Sequence, residues 1–268
     1  MYRNYPTIHA NNELTVAVVA RAYASSPDLR RRRFNILRLL RVAAFAMVFT
    51  GVGAIGATYM SIQELMAPGT TDQDSLKAYN PDDPIEIAVN EHISNHPLAR
   101  KLREDGRFSE SRPHLKVPEA VRPYNLTAGV LLGHEKIVVP PLVFGAKDGS
   151  ELVSIVYLGR SLCGHPTIIH GGLLATLLDE GLARCCFPAL PNKRGVTASL
   201  KVDYRKPCRA GSYVVLRAKT IKIEGRKAWV KGSIEYLADD DSQEEPQILC
   251  EAEALYIEPR SAAVRSTR

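Results

Sequence analysis

The residues of this chain best suited to chemistry lie close together: His170-Gly171-Gly172, then Asp179, Glu180 and Arg184. Two glycines ahead of a leucine run let a ligand approach unpaired backbone N–H groups at the positive end of a helix dipole. A polarised carbonyl oxygen, or the oxyanion formed from it, could be held there. Alone, His-Gly-Gly equally suits a plain turn with a capping histidine; an acid nine residues after the histidine makes the pattern more specific. Asp179 and Glu180 interrupt a stretch that is otherwise apolar, and carboxylates in such a place must be paired, protonated or used, because desolvation disfavours the charged form. Glu180 reads as neutralised by Arg184 at i+4, which leaves Asp179 as the functional candidate. Gly171 and Asp179 are eight residues apart, ~12 Å along a helix and beyond hydrogen-bond reach. If both serve one site, they come from two subunits whose helices run antiparallel about a two-fold axis.

The carrier of these groups is a helix from about Gly171 to Phe187, with Leu173, Leu174, Leu177, Leu178 and Leu182 spread around it. A helix apolar on nearly every side is a buried one. Around it the period changes to two. Residues 135–146 and 150–158 are apolar-rich runs flanking Lys147-Asp148-Gly149, whose Asp-Gly is a hairpin signal. After the helix, Val196 to Tyr204, Tyr213 to Ile223, Lys227 to Leu237 and Ile248 to Ile257 alternate in the same way. Their connections hold Pro207 and Gly211, then Glu224-Gly225-Arg226, then the acidic tip Asp239 to Glu245. The order strand, strand, helix and four strands implies an α+β fold, an antiparallel six-stranded sheet wrapped around a central helix.

The chain has 268 residues, and its net charge of +6 is not spread evenly. Residues 1–41 hold eight Arg and two acids, while the remainder is balanced at 27 basic and 27 acidic residues. A neutral body excludes a general phosphate-binding surface, so nucleic acid is not an expected partner. The leader resembles a mitochondrial presequence. The uncharged stretch 42–60 would span ~28 Å as a helix, about one hydrocarbon core, and reads as a single transmembrane helix that places the protein in a mitochondrial membrane. Residues 61–134 read as a linker with one or two short helices, residues 135–260 as the globular domain and 261–268 as a tail. Five cysteines, Cys163, Cys185, Cys186, Cys208 and Cys250, include no C-x-x-C pair and no accompanying His ladder, so no disulfide framework and no metal site are expected. Asn125-Leu126-Thr127 matches a glycosylation acceptor, a tripeptide common by chance.

The run His170 to Asp179, with Val196-Thr197-Ala198-Ser199-Leu200, Tyr204-Arg205-Lys206-Pro207 and Glu224-Gly225-Arg226-Lys227, resembles the hotdog-fold acyl-CoA thioesterases of the PaaI and THEM4-like group over about residues 135–258. With its basic leader and uncharged stretch the chain is most similar to a fungal mitochondrial membrane branch of that group. The resemblance implies a hotdog fold and hydrolysis of a fatty acyl-CoA, with no cofactor beyond the coenzyme A of the substrate. It implies Asp179 as general base or nucleophile, the Gly171 N–H as oxyanion donor, His170 supporting the helix start and Thr197 orienting the water or the carboxylate. Gly172 would face the substrate, Arg205, Lys206, Arg226 and Lys227 would hold the phosphates of coenzyme A, and the protein would be a homodimer or a dimer of dimers. One position departs from the pattern: many members carry an Asn six residues before the His, and here Gly164 stands there. The competing expectation is a membrane-tethered acyl-CoA- or lipid-binding scaffold without useful turnover; a hydratase is disfavoured, since its differently spaced Asp and His are missing.

Overall fold

The computed structural model describes residues 70–238 and 247–260. The leader 1–41, the uncharged stretch 42–60, the start of the linker at 61–69, the acidic tip and the tail 261–268 lie outside the described residues. Among the described residues no helix is long and apolar enough to cross a membrane.

Three short helices come first, each opened by a side chain that satisfies free N–H groups of the first turn. Thr71 and Asp74 form a capping box at α1 (Asp72–Lys77), Asp83 caps α2 (Pro84–Asn95), and His96 caps α3 (Pro97–Glu104). Strand β1 (Phe108–Ser111) follows, then β2 (Leu142–Ala146), β3 (Glu151–Leu158), the short hairpin of β4 (Cys163–His165) and β5 (Ile168–Ile169), and helix α4 (Gly171–Cys186). Four long strands complete the chain: β6 (Val196–Tyr204), β7 (Ser212–Glu224), β8 (Lys227–Tyr236) and β9 (Ile248–Ile257). All sheet pairings are antiparallel, in the order β1-β2-β3-β7-β8-β9-β6.

The sheet therefore has seven strands rather than six. The added strand comes from the stretch read as a linker: Phe108 pairs opposite Ala146 and Ser111 opposite Val143. Four residues, Phe-Ser-Glu-Ser, are too few to display a period. Strand β2 also begins at Leu142 rather than near 135, because Pro140 and Pro141 cannot donate to a ladder. The Asp-Gly hairpin signal holds, and the Glu224-Gly225-Arg226 connection is a tight turn: Gly149 and Gly225 occupy left-handed conformations at φ +77° and +54°, which glycine adopts without strain.

Two cores flank the sheet. On the inner face α4 packs Leu174, Leu178 and Leu182 against β3, β7 and β8. It lies close because Gly181 faces Leu216 and Gly232 faces Leu182, and a Cβ on either glycine would come within 2.7 Å of the opposing leucine. On the outer face Val89 and Ile93 of α2 and Ala99 and Leu102 of α3 cover Phe144, Val153, Ile155 and Val215. Covering both faces explains why β3 is buried at nearly every position rather than at alternate ones. The helices before residue 105 are thus a layer of the fold. Four of the five cysteines are buried and all are unpaired, and burial pushes the thiols of Cys185 and Cys186 up to about 11 and about 12.

Candidate active site

Helix α4 is not buried all round. Its sheet-facing side is closed, but Gly172 is exposed, and Ala175, Thr176, Asp179 and Ala183 stay half-open along one flank. Asp179 thus sits at the border of core and solvent, beside strand β6. The Thr197 hydroxyl donates to its Oδ1 at 2.8 Å. The Tyr256 hydroxyl, fully buried on β9, donates to the Asp179 carbonyl at 2.7 Å and lies 3.4 Å from the same Oδ1. Burial, with the Asp179 charge beside it, drives the Tyr256 phenol far above the usual tyrosine range, so it remains a donor. The Thr197 hydroxyl therefore fixes one carboxylate oxygen, the Tyr256 hydroxyl holds the backbone carbonyl of the same residue, and the second carboxylate oxygen accepts no hydrogen bond among the described residues.

At the other end, His170 caps the helix: its Nδ1 accepts the Gly172 N–H at 2.9 Å, and its carbonyl accepts the Leu173 N–H at 2.9 Å. The Gly171 N–H has no hydrogen-bond partner among the described residues and stands at the positive end of the helix dipole. The Gly171 carbonyl accepts the Tyr204 hydroxyl at 2.8 Å, and a Cβ at Gly171 would press on the Tyr204 ring at 3.3 Å. An open groove adjoins this start, lined by Gly164, His165, Ile168, Gly171, Arg205 and Lys206, among others. A Cβ at Gly164 would lie 2.8 Å from the His170 ring. The residue that departs from the family pattern is therefore the one that lets the capping imidazole fit.

The expected site residues fall into two groups. Thr197 and Asp179 meet directly. Gly171, His170, Arg205 and Lys206 gather around the helix start, with Arg205 held by Glu251 at 2.7 Å. Arg226 and Lys227 lie elsewhere: Lys227 pairs with Ile257, next to Val196, whereas Tyr204, just before Arg205, pairs with Cys250. Seven residues of β9 separate these ends, ~23 Å at the strand rise. The four cations do not converge within one chain, and the Arg226 guanidinium donates to the Glu258 carbonyl. The split matches that of Gly171 and Asp179, so one end of each chain carries carboxylate, Thr197, Arg226 and Lys227, and the other carries helix start, Arg205 and Lys206.

Glu180 corrects the expectation of an ion pair with Arg184. Thr127 donates to its Oε1 at 2.8 Å, and His114 Nε2 stands 3.8 Å from its Oε2. Both partners come from the stretch before the first expected strand, and helix spacing alone cannot reveal them. The Asn125-Leu126-Thr127 tripeptide has a structural use: Asn125 Oδ1 accepts the Ala128 N–H at 2.8 Å, and Thr127 is the buried partner of Glu180. His114, Tyr256, the Thr127 contact with Glu180 and the Tyr204 contact with Gly171 are not legible in the sequence, although Tyr204 stands in one of the matching motifs; Asn125 three residues before Ala128 is a capping signal that flags this segment.

The thioesterase superfamily model matches residues 167–236, which hold Gly171, Asp179, Thr197, Arg205 and Arg226. The chain is 33% identical to an uncharacterized mitochondrial protein of Candida albicans over 63% of this chain and 79% of the relative. It is 31% identical to MIOREX complex component 3 of Saccharomyces cerevisiae over 74% of each. The chain belongs to the thioesterase superfamily. This superfamily member is also 34% identical to the acyl-coenzyme A thioesterase THEM4 of Rattus norvegicus, over 43% of this chain and 46% of the relative. Its antiparallel sheet with a central helix is the hotdog fold.

Proposed function

We infer that this protein is an acyl-CoA thioesterase that works as a homodimer. The reading rests on one observation: the Asp179 carboxylate is held by the Thr197 hydroxyl at 2.8 Å on the half-open flank of α4. In the proposed reaction Asp179 takes a proton from water, and the resulting hydroxide attacks the thioester carbon. The carbonyl oxygen becomes an oxyanion received by the Gly171 N–H of the partner chain, a role suited to a free donor at a helix start. The tetrahedral intermediate then collapses, the carbon–sulfur bond breaks, and the coenzyme A thiolate leaves and is protonated. Two chains are needed because the carboxylate and the donor lie ~12 Å apart on one helix.

His170 acts here through the helix cap, not on the substrate, and Gly172 lets the acyl group approach. Arg205 and Lys206 from one chain and Arg226 and Lys227 from the other would receive the phosphates. The basic leader and residues 42–60 support a single-pass protein of a mitochondrial membrane. The test is a thiol-release panel across acyl-CoA chain lengths with Asp179→Asn and Asp179→Ala alongside. Hydrolysis lost in both variants supports the assignment, and full activity in both rejects it.

One observation favours a second reading, a tethered acyl-CoA-binding protein without useful turnover. Gly164 offers no side chain to the thioester, and the His170 ring occupies the space a side chain would need. Saturable binding with no hydrolysis at any chain length would select it.

A further inference from the structure

A groove of 730 Å³ runs along α4 on the flank that carries Glu180 and Arg184, and none of its lining residues belongs to the groove at the helix start. Segments 113–117 and 125–128 form one wall, and Ala183, Phe187 and Pro188 form the other. Its carboxylate and side-chain amide oxygens are engaged. Asp72 receives Lys116 and the Ser109 hydroxyl, Glu180 receives Thr127 and faces His114, and Asn125 Oδ1 receives the Ala128 N–H. Its donors are not. The Arg184 guanidinium, the Asn125 side-chain NH2 and the Lys193 ammonium make no hydrogen bond among the described residues, and Arg184 senses Glu180 and Asp72 only at longer range. His114, buried in the groove wall, turns its Nε2 toward Glu180 and leaves its Nδ1 without a partner, an atom that donates only when the imidazole is protonated.

Surplus donors beside satisfied acceptors call for a ligand that brings negative oxygens. A guanidinium fork matches a carboxylate in particular. A separate small cavity of about 40 Å³ lies beneath α4 and shares part of its wall, Pro113, His114, Glu180 and Arg184, with the groove. It ends among Leu152, Val156, Leu177, Leu216 and Ile234. The groove is therefore polar and cationic at the shared wall, and the cavity is aliphatic at its far end.

We propose that this groove is a second ligand site, separate from Asp179 and Gly171, that binds an aliphatic monocarboxylate with its head group on Arg184 and its chain toward the cavity under α4. The inference does not depend on hydrolysis, so a protein that releases no thiol leaves it standing. The experiment is calorimetric titration of the full chain with octanoate, with inorganic phosphate as a second titrant. The expected result is saturable octanoate binding, weakened at least ~10-fold by Arg184→Gln, a loss of ~1.4 kcal/mol. Lys193→Gln, on an exposed loop, should weaken it several-fold even if Arg184→Gln fails to fold, and Asp179→Asn should leave it unchanged. Absence of octanoate binding overturns the proposal. So does binding untouched by both cation variants, phosphate bound as tightly as octanoate, or binding lost in Asp179→Asn, which would place the acid at the other site.

Discussion

Replacing Thr197 by valine keeps the shape of the side chain and removes the hydroxyl that donates to Asp179 at 2.8 Å. A hydrogen bond to a charged acceptor contributes about 1.5–3 kcal/mol. The lower half of that range applies, because Asp179 is half-open to water and the Tyr256 hydroxyl remains 3.4 Å from the same oxygen. At ~1.4 kcal/mol per factor of ten, kcat/KM for thioester hydrolysis should fall roughly 10- to 30-fold. Thr197→Ser, which restores the donor, should return to within about threefold of the parent, ~0.6 kcal/mol. Thr197 is exposed, so the melting temperature of the valine variant should barely move, as for most surface changes of ~0.5 kcal/mol or less. Thiol release under saturating and limiting acyl-CoA, with melting curves beside it, measures all of this. Parental turnover in Thr197→Val together with a dead Asp179→Asn would refute the view that this hydroxyl positions the working carboxylate.

Other parts of the fold make equally definite predictions. Ile93→Ala should destabilise the protein by about 2–5 kcal/mol by denaturant titration, because Ile93 is fully buried on the outer face of the sheet; a change below ~0.5 kcal/mol would return the helices to the role of a spacer. Gly232→Ala should cost about 3 kcal/mol, since the new methyl would meet the Arg217 carbonyl oxygen at 2.5 Å in the neighbouring strand. Glu180 has a pH signature: burial would raise its pKa, but the His114 imidazole and the Thr127 hydroxyl outweigh it and hold the group below the usual 4.5. A depressed folded-state pKa stabilises above the unfolded value and is lost as pH falls through the folded one. The melting-temperature gap between the parent and Glu180→Gln should therefore be full at neutral pH and shrink below about pH 4.5. A gap independent of pH would show that the carboxylate charge contributes nothing there.

Much of this architecture can be read from the chain, for identifiable reasons. The period-two runs of β7 to β9 each pack one face on the side of α4, whereas β6 alternates in sequence but is exposed over most of its length in the single chain, and the turn glycines at 149 and 225 need conformations few other residues adopt. Strand β1 escapes because Phe108 alone carries its apolar signal. The carboxylate Asp179 stands out in an apolar helix, but its contact with Thr197 joins two elements whose packing no local period encodes; family resemblance pointed to it. Glu180 illustrates the opposite failure. The i+4 rule assigns it to Arg184 because that rule considers one helix only, whereas His114 and Thr127 reach it from a separate segment.

The two margins of the sheet differ. At β1, helices α1 and α3 lie alongside, and Ser109 is tied to Asp72. At β6, Val196 and Tyr204 are about half exposed and no strand of the described residues continues the ladder. An exposed margin is a template for another chain. With one such margin among the described residues the valence of strand addition there is one: two copies joined at it consume both, and ladder growth stops at a closed pair rather than running on into a filament.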